Sequence, residues 1–310
     1  AEVIEELKDD RKHPAVHTYT STLHSFAAFS GDAMPMNEVF TPGRLKEYED
    51  WLLQRRLSWN TISTYMRTLQ AVYNRLSPPG TPEHNPRLFD DVYTKVKSQI
   101  KRALTEEQMG RLMHADLDVL SEELQRVQAY FLLMFLFRGM PFIDLAHLRK
   151  RDVKDGKIAY RRHKTGKQIT LRIPREALPL LKEFKDKDET SLYLFPILNT
   201  APEGDDALYG CYQKALRNFN KMLGVLAKRL LPGIKISSYT ARHTWATLAY
   251  HIGMPIGIIC QALGHSSIRV TETYLKPFEN EKVDKANRKL ISTVKKREGR
   301  SGGFFISYKT

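Results

Sequence analysis

The chain has 310 residues, of which 42% are hydrophobic and 27% charged, and 49 Lys+Arg against 35 Asp+Glu give a net charge of +14. That length suits about two domains of roughly 150 residues each, and the composition is that of an ordinary globular protein, which excludes a disordered or collagenous chain. The longest apolar run, Ala129 to Phe137, is nine residues, far short of the roughly 20 a bilayer span needs. No charged segment followed by an apolar core opens the sequence, so a secretory leader is not expected. Two cysteines, Cys211 and Cys260, cannot build a disulfide framework, and the expected location is the reducing cytoplasm.

In chain order, Val16 to Phe29 is periodic and stops before Gly31-Asp32. Thr41-Pro42-Gly43 reads as a cap with a helix running through Leu53. Ser58-Trp59-Asn60 precedes a long amphipathic stretch, Thr61 to Leu76. Its apolar residues Ile62, Met66, Leu69, Val72 and Leu76 fall on one helical face. The other face carries Thr61, Thr64, Arg67, Thr68 and Arg75. These are either solvent-facing residues or a surface laid against a DNA groove, where hydroxyls and guanidiniums meet phosphates and base edges. Pro78-Pro79-Gly80 ends the helix. A basic stretch from Lys95 to Arg102 follows, and Leu104-Thr105-Glu106-Glu107-Gln108 reads as a fresh N-cap with acids in the first turn. A domain boundary is expected at about residue 102, giving domains 1–102 and 103–310.

Leu124 to Phe137 is strongly apolar and stops at Arg138-Gly139-Met140-Pro141, with Gly139 suited to C′ and Pro141 to N1 of a helix reaching Leu148. Lys157 to Tyr160 and Ile169 to Ile173 resemble two strands joined through Lys164-Thr165-Gly166-Lys167. The chain to Ala286 then reads as mostly helical, interrupted at Pro196 to Asp206 and at Pro232-Gly233. A charged tail ends in the Gly-rich Arg300 to Gly303 and the apolar Phe304-Phe305-Ile306. The charge is not spread evenly. Arg149 to Arg175 holds eleven Lys/Arg and two acids, most of the chain's excess, and makes nucleic acid the favoured partner. A membrane surface is disfavoured, because the basic residues cluster on a hairpin and not along one helix face.

The reactive groups cluster in two places. Ser238-Tyr239-Thr240-Ala241-Arg242-His243 leads into an apolar helix. Leu263-Gly264-His265-Ser266-Ser267 follows, and Tyr274 lies nine residues beyond His265. A phosphodiester attacked at phosphorus gains negative charge on its oxygens, and fixed guanidinium, imidazole or ammonium donors stabilise that charge. A nucleophile and a proton donor for the leaving alkoxide complete such a site.

Arg242-His243-Thr244-Trp245-Ala246-Thr247, the Leu263-Gly264-His265-Ser266-Ser267 loop and Tyr274 together resemble the tyrosine recombinase (phage integrase) family. His163-Lys164-Thr165-Gly166-Lys167 resembles that family's catalytic-lysine hairpin, and Asn60 to Leu76 the long helix of its core-binding domain. The resemblance implies a mainly helical fold with a small β-hairpin or sheet, built as a two-domain DNA clamp. A SAM-like core-binding domain would precede a mixed α+β catalytic domain with a tail over 277–310. It implies a site-specific recombinase, an integrase or invertase, that cleaves duplex DNA through a 3′-phosphotyrosyl intermediate without metal, ATP or other cofactor. Position by position, Tyr274 matches the nucleophile, Arg242 the second catalytic arginine and His265 the loop histidine. Lys164 matches the general acid, with Lys167 as its alternate. His243, Arg162 and Lys167 are expected on the DNA, as are Thr61, Thr64, Arg67 and Arg75. The expected partners are a double-stranded site with inverted half-sites, three further copies of the chain in a tetramer, and an accessory DNA-bending protein.

Two positions depart from the family pattern. Tyr239 stands where a histidine is usual; a phenol with a pKa near 10 is a poor base at neutral pH, so a positioning role is expected. Pro141 stands where the first arginine belongs. Arg138, three residues earlier, is expected to replace it, with Arg149, Arg151 or a site with one arginine fewer as alternatives. Arg138-Gly139-Met140 at this spacing also resembles a subgroup of bacterial mobile-element recombinases. A type IB topoisomerase shares the same chemistry, and a DNA-binding protein without catalysis is a further alternative given the two departures.

Overall fold

Short polar side chains start the helices of the N-terminal half. Thr41 accepts a hydrogen bond from Arg44 N (3.2 Å) and Ser58 from Thr61 N (3.2 Å), each satisfying a donor that the first helical turn leaves open. The computed structural model describes residues 4–6, 13–31, 35–95, 103–115, 120–199, 204–278 and 280–298. The basic stretch beyond Lys95 and the tail motif Arg300 to Ile306 lie outside the described residues. The chain divides into two compact units, 1–100 with 201–211, and 101–200 with 212–310.

The first unit is helical: α1 (His13–Ser30), α2 (Met36–Val39), α3 (Pro42–Gln54) and α4 (Trp59–Leu76). Its core gathers Phe26, Leu45, Tyr48, Leu52, Ile62, Met66, Leu69 and Tyr73, closed by Leu88, Phe89 and Val92 from the loop after α4. The α4 stripe is buried through Val72, but its last member, Leu76, is 50% exposed, because the Pro78-Pro79 turn removes the chain that would have covered it. Thr68, expected on the polar face, is buried.

In the second unit, α5 (Glu106–Met113) opens with a reciprocal cap between Thr105 and Gln108. Helix α6 (Glu122–Leu136) is apolar nearly all round and is the central helix, with α10 (Ser238–His251) packed along it. The left-handed C′ position after α6 falls on Arg138 (φ +59°), not on Gly139 as expected, and Gly139 (φ +68°) is left-handed as well. Two such residues in succession reverse the chain, and Pro141 becomes the N-cap of α7 (Phe142–His147) rather than its first residue. The sheet has three antiparallel strands in the order β1 (Val153–Lys154), β2 (Lys157–Arg161), β3 (Gln168–Arg172). The extra strand β1 follows from Asp155-Gly156, both with positive φ, the dipeptide that favours a tight hairpin. In the β2–β3 register Ile158 faces Leu171 and Tyr160 faces Ile169; all four point into the core.

The remaining elements are α8 (Leu178–Phe184), α9 (Asp205–Leu230), α11 (Ile256–Leu263), α12 (Ile268–Glu272) and α13 (Asn280–Glu298). Ile259 and Leu263 of α11 pack with Ala246, Ala249 and Leu275. No helix among the described residues is long and apolar enough to cross a membrane.

The corner after α6 makes a prediction about stability. A Cβ on Gly139 would lie 3.0 Å from Arg242 Cα and 3.2 Å from its Cγ. Gly139→Ala therefore combines backbone strain with overpacking and should cost about 1–3 kcal/mol, read as a lowered denaturant midpoint. Arg138→Gly, which relieves a left-handed non-glycine residue, should not lower it.

Candidate active site

Helix α10 carries the centre of the site. Its start is fixed by Thr240 Oγ1, which accepts from Ser237 N (2.9 Å), and by Asn220 Oδ1, which accepts from Ser238 N (2.8 Å). One turn in, Arg242 is only 2% exposed. Its guanidinium donates to Gly139 O (2.7 Å), Leu263 O (2.6 Å) and His265 Nε2 (2.9 Å). Burial first, then the charge of Arg162, holds the Arg242 pKa below its ordinary value.

Gly264 (φ +66°) ends α11 in the left-handed conformation and turns the chain into His265. Because Arg242 can only donate, His265 Nε2 is the acceptor; Nδ1 then carries the proton and donates to Thr271 Oγ1 (2.9 Å). Burial, followed by the charges of Arg242, Arg162, Lys164 and Lys167, drives the His265 pKa down to about 3. The imidazole is neutral throughout the physiological range.

Tyr274 follows α12. Its ring centroid is 4.8 Å from that of His265 and 4.8 Å from that of His243, and the Arg242 guanidinium carbon is 5.5 Å from it. The Tyr274 carbonyl lies 3.3 Å from both His243 Nδ1 and Thr247 Oγ1. Lys276 N donates to Thr247 Oγ1 (3.3 Å), and its ammonium bonds Ala103 O. Arg242, His243 and Thr247 all belong to α10, so one helix sets the spacing between the guanidinium and the tyrosine. Tyr239 stacks on Tyr274 at 6.5 Å and 18°. Although 47% of the residue is exposed, the protein around its hydroxyl, then the neighbouring Tyr274, raises its pKa. At neutral pH Tyr239 is therefore a donor and not a base.

Arg162, expected among the DNA contacts, is 4% exposed. It donates to Gly264 O (3.2 Å), and its Nε lies 3.8 Å from Asp144 Oδ2. Asp144 Oδ1 accepts from His163 N (2.8 Å), and burial raises the carboxyl pKa. Lys164 and Lys167 are exposed on the hairpin turn, and only Lys167 reaches the loop, 3.5 Å from His265 O. The structure does not join Arg138 to this cluster. Arg138 makes no hydrogen bond or ion pair among the described residues and lines a neighbouring cavity of about 500 Å3. Arg149 and Arg151 are exposed. In the first unit the α4 candidates bond within their own helix turns. Thr64 Oγ1 donates to Asn60 O (2.8 Å), Arg67 Nε to Ser63 O (3.2 Å), and Thr61 Oγ1 pairs with Ser58 Oγ (2.9 Å). Arg75 reaches Glu6 (3.0 Å).

The sequence alone gave no role to Asp144, Thr247 or Thr271, and it did not place Arg162 among the buried residues. A signal for Arg162 was present: positions 158, 160 and 162 share strand parity, so the side chain after exposed Arg161 turns to the buried face. Among the described residues no group of three or more His, Cys, Asp or Glu is placed to hold a metal.

Comparison with known proteins places the chain in a family. The profile of the Phage integrase family matches residues 102–281, and that of the Phage integrase SAM-like domain matches residues 1–76. Among curated relatives, tyrosine recombinase XerA of Pyrococcus furiosus is 25% identical over 303 residues, covering 93% of this chain and 94% of its own. A tyrosine recombinase of Thermosipho africanus is 23% identical over 226 residues, covering 72% and 74%. The fold is shared with the Tn1549 transposon integrase in complex with transposon right end DNA, at a TM-score of 0.63 and 17% identity over 93% of this chain and 97% of that one. It is also shared with the XerH recombinase bound to its difH substrate, at a TM-score of 0.61 and 15% identity over 87% and 81%. The chain belongs to the phage integrase family and is a tyrosine recombinase, a site-specific enzyme that cleaves and rejoins DNA through a tyrosine nucleophile.

The depressed His265 pKa has a consequence for stability. Between about pH 6.5 and pH 3 the unfolded chain binds a proton at this histidine that the folded protein refuses, so stability falls as pH falls through that window. Replacing His265→Gln should flatten the acid limb of unfolding free energy against pH by up to ~1.4 kcal/mol per pH unit, as followed by denaturant titration.

Proposed function

We propose that Tyr274 is the nucleophile and that it attacks the scissile phosphate within its own protomer. The observation that carries this reading is the packing of the Tyr274 ring against His265 beside the Arg242 guanidinium, all in one chain. In the forward step Tyr274 Oη gives up its proton to solvent water and bonds to phosphorus, the P–O5′ bond breaks, and the leaving O5′ takes a proton from Lys164. The reverse step, attack by a 5′-hydroxyl, rejoins a strand. The phosphotyrosyl ester keeps the bond energy, so the chemistry as written consumes no cofactor.

Arg242 and Arg162 are the two guanidiniums that meet the charge developing on the non-bridging oxygens. What supports Arg162 over Arg138 is burial at the cluster and a charge felt by both Arg242 and His265. Lys164 is the proton donor to the 5′-oxygen, since Lys167 is engaged with the His265 loop. Tyr239 stacks on the Tyr274 ring and positions it.

Residues 1–102 are the core-binding domain and 103–310 the catalytic domain, which together clamp duplex DNA. The assembly is a tetramer on inverted half-sites, acting in the cytoplasm with an accessory DNA-bending protein. Support for self-association comes from α13, where Val283, Leu290 and Ile291 are 51%, 63% and 45% exposed. An integrase of the same fold has been seen as a tetramer bound to a Holliday junction, at a TM-score of 0.59 and 15% identity over 89% of this chain.

Trapping on a nicked duplex tests the assignment. Wild-type protein should form a covalent adduct that Tyr274→Phe loses while retaining duplex affinity; an adduct joined through another side chain refutes it. Arg162→Lys should slow adduct formation by about 100-fold or more with little change in duplex binding.

A further inference from the structure

Beside the catalytic cluster lies the cavity of about 500 Å3 that holds Arg138. Its wall includes Trp245, Met254 and Ile258 on one side and Lys167, Gln168 and Gln261 as polar groups. We propose that this cavity is a binding pocket for a single unpaired nucleotide of the DNA substrate, with the phosphate on Arg138 and the base against Trp245.

Four observations lead there. Arg138 is half-buried with no hydrogen bond or ion pair among the described residues, so its guanidinium donors at the cavity wall are open to an anion. It is held at φ +59°, a strained conformation for a residue with a side chain, and such strain collects at ligand sites. The lining joins a cation, an indole, aliphatic side chains and two primary amides. That combination suits a phosphate, a base face and a base edge, in a space of the size small ligands take. The cavity also borders the reacting centre. Gly139, next in the chain to Arg138, gives its carbonyl to Arg242, and Lys167 at the rim bonds the His265 loop.

Strand exchange supplies the ligand. A cut strand must leave its complement before it can be rejoined elsewhere, so nucleotides next to the break lose their pairing, and a pocket that holds one lowers the cost of unstacking it. This rests on the recombinase reading, but the site is assigned from its own chemistry. The competing occupant is the tail of a second copy. Helix α13 argues against that, because its sequence has seven basic residues against three acids, and such a segment is repelled by Arg138 and Lys167.

The test uses the full chain carrying Tyr274→Phe, so that binding is read without cleavage. The probe is a 5′-phosphorylated single-stranded tetranucleotide containing 2-aminopurine, whose fluorescence drops when the base stacks. Quenching should saturate with this protein, weaken tenfold or more in Arg138→Gln, and be lost in Ile258→Glu. The last position is 53% exposed, so its substitution spares the core. Arg87→Gln, at an exposed position of the first unit, should leave the quenching unchanged. Equal quenching in all variants overturns the proposal. So does an Ile258→Glu protein that binds the probe normally but changes oligomeric state, which assigns the cavity to a second copy. An adduct joined through a side chain other than Tyr274 in the wild-type chain, with quenching intact, would instead overturn the nucleophile assignment and leave the pocket standing.

Discussion

The three hydrogen bonds of Arg242 hold the site together. They tie helix α10 to the corner after α6 through Gly139 O, to the end of α11 through Leu263 O, and to the following loop through His265. Charge-assisted bonds of this kind are the stronger ones in a protein interior, and leaving such a group unpartnered there would cost several kcal/mol. The corner after α6 is built around this contact. Gly139 has no side chain where Arg242 passes, and its positive φ aims the carbonyl at the guanidinium.

Around that centre the charge is unbalanced. Burial and the nearby charge of Arg162 hold the Arg242 pKa down, while the buried carboxyl of Asp144 beside Arg162 has a raised pKa. Burial, together with the same cations, keeps His265 neutral. Concentrating positive charge out of water is costly in the free protein and becomes favourable when a phosphate arrives, more so as negative charge grows on its oxygens in the transition state. Stability is given up at the place where the reaction needs an electropositive field.

Helix α10 also sets where Tyr274 sits. Arg242 points into the cluster, while His243 and Thr247, one and five residues on, meet the Tyr274 carbonyl. Lys276 ties the same segment to Ala103, at the start of the second unit. The tyrosine is thus held to the helix that carries the guanidinium, and the stacked Tyr239 comes from that helix too.

Much of this was readable from sequence. Caps at Thr41, Ser58 and Thr105, the apolar period of α4 and the Arg242, His265 and Tyr274 motifs are local signals, because caps, periodicity and motif spacing depend on neighbours a few residues away. Other assignments needed the folded chain. Arg138 and Arg162 are both basic residues next to a turn, and charge alone does not separate a cavity wall from a buried cluster. The pairing of β2 with β3 turned Arg162 inward beside Gly264, while Arg138, left-handed at the end of α6, lines the neighbouring cavity. Asp144, Thr247 and Thr271 matter through partners 19, 27 and 6 positions away. Sequence by itself determined the kinds of chemistry present and the helices that carry them. Tertiary packing decided which cations share one buried site, since that depends on long-range strand register and backbone handedness that no local pattern encodes.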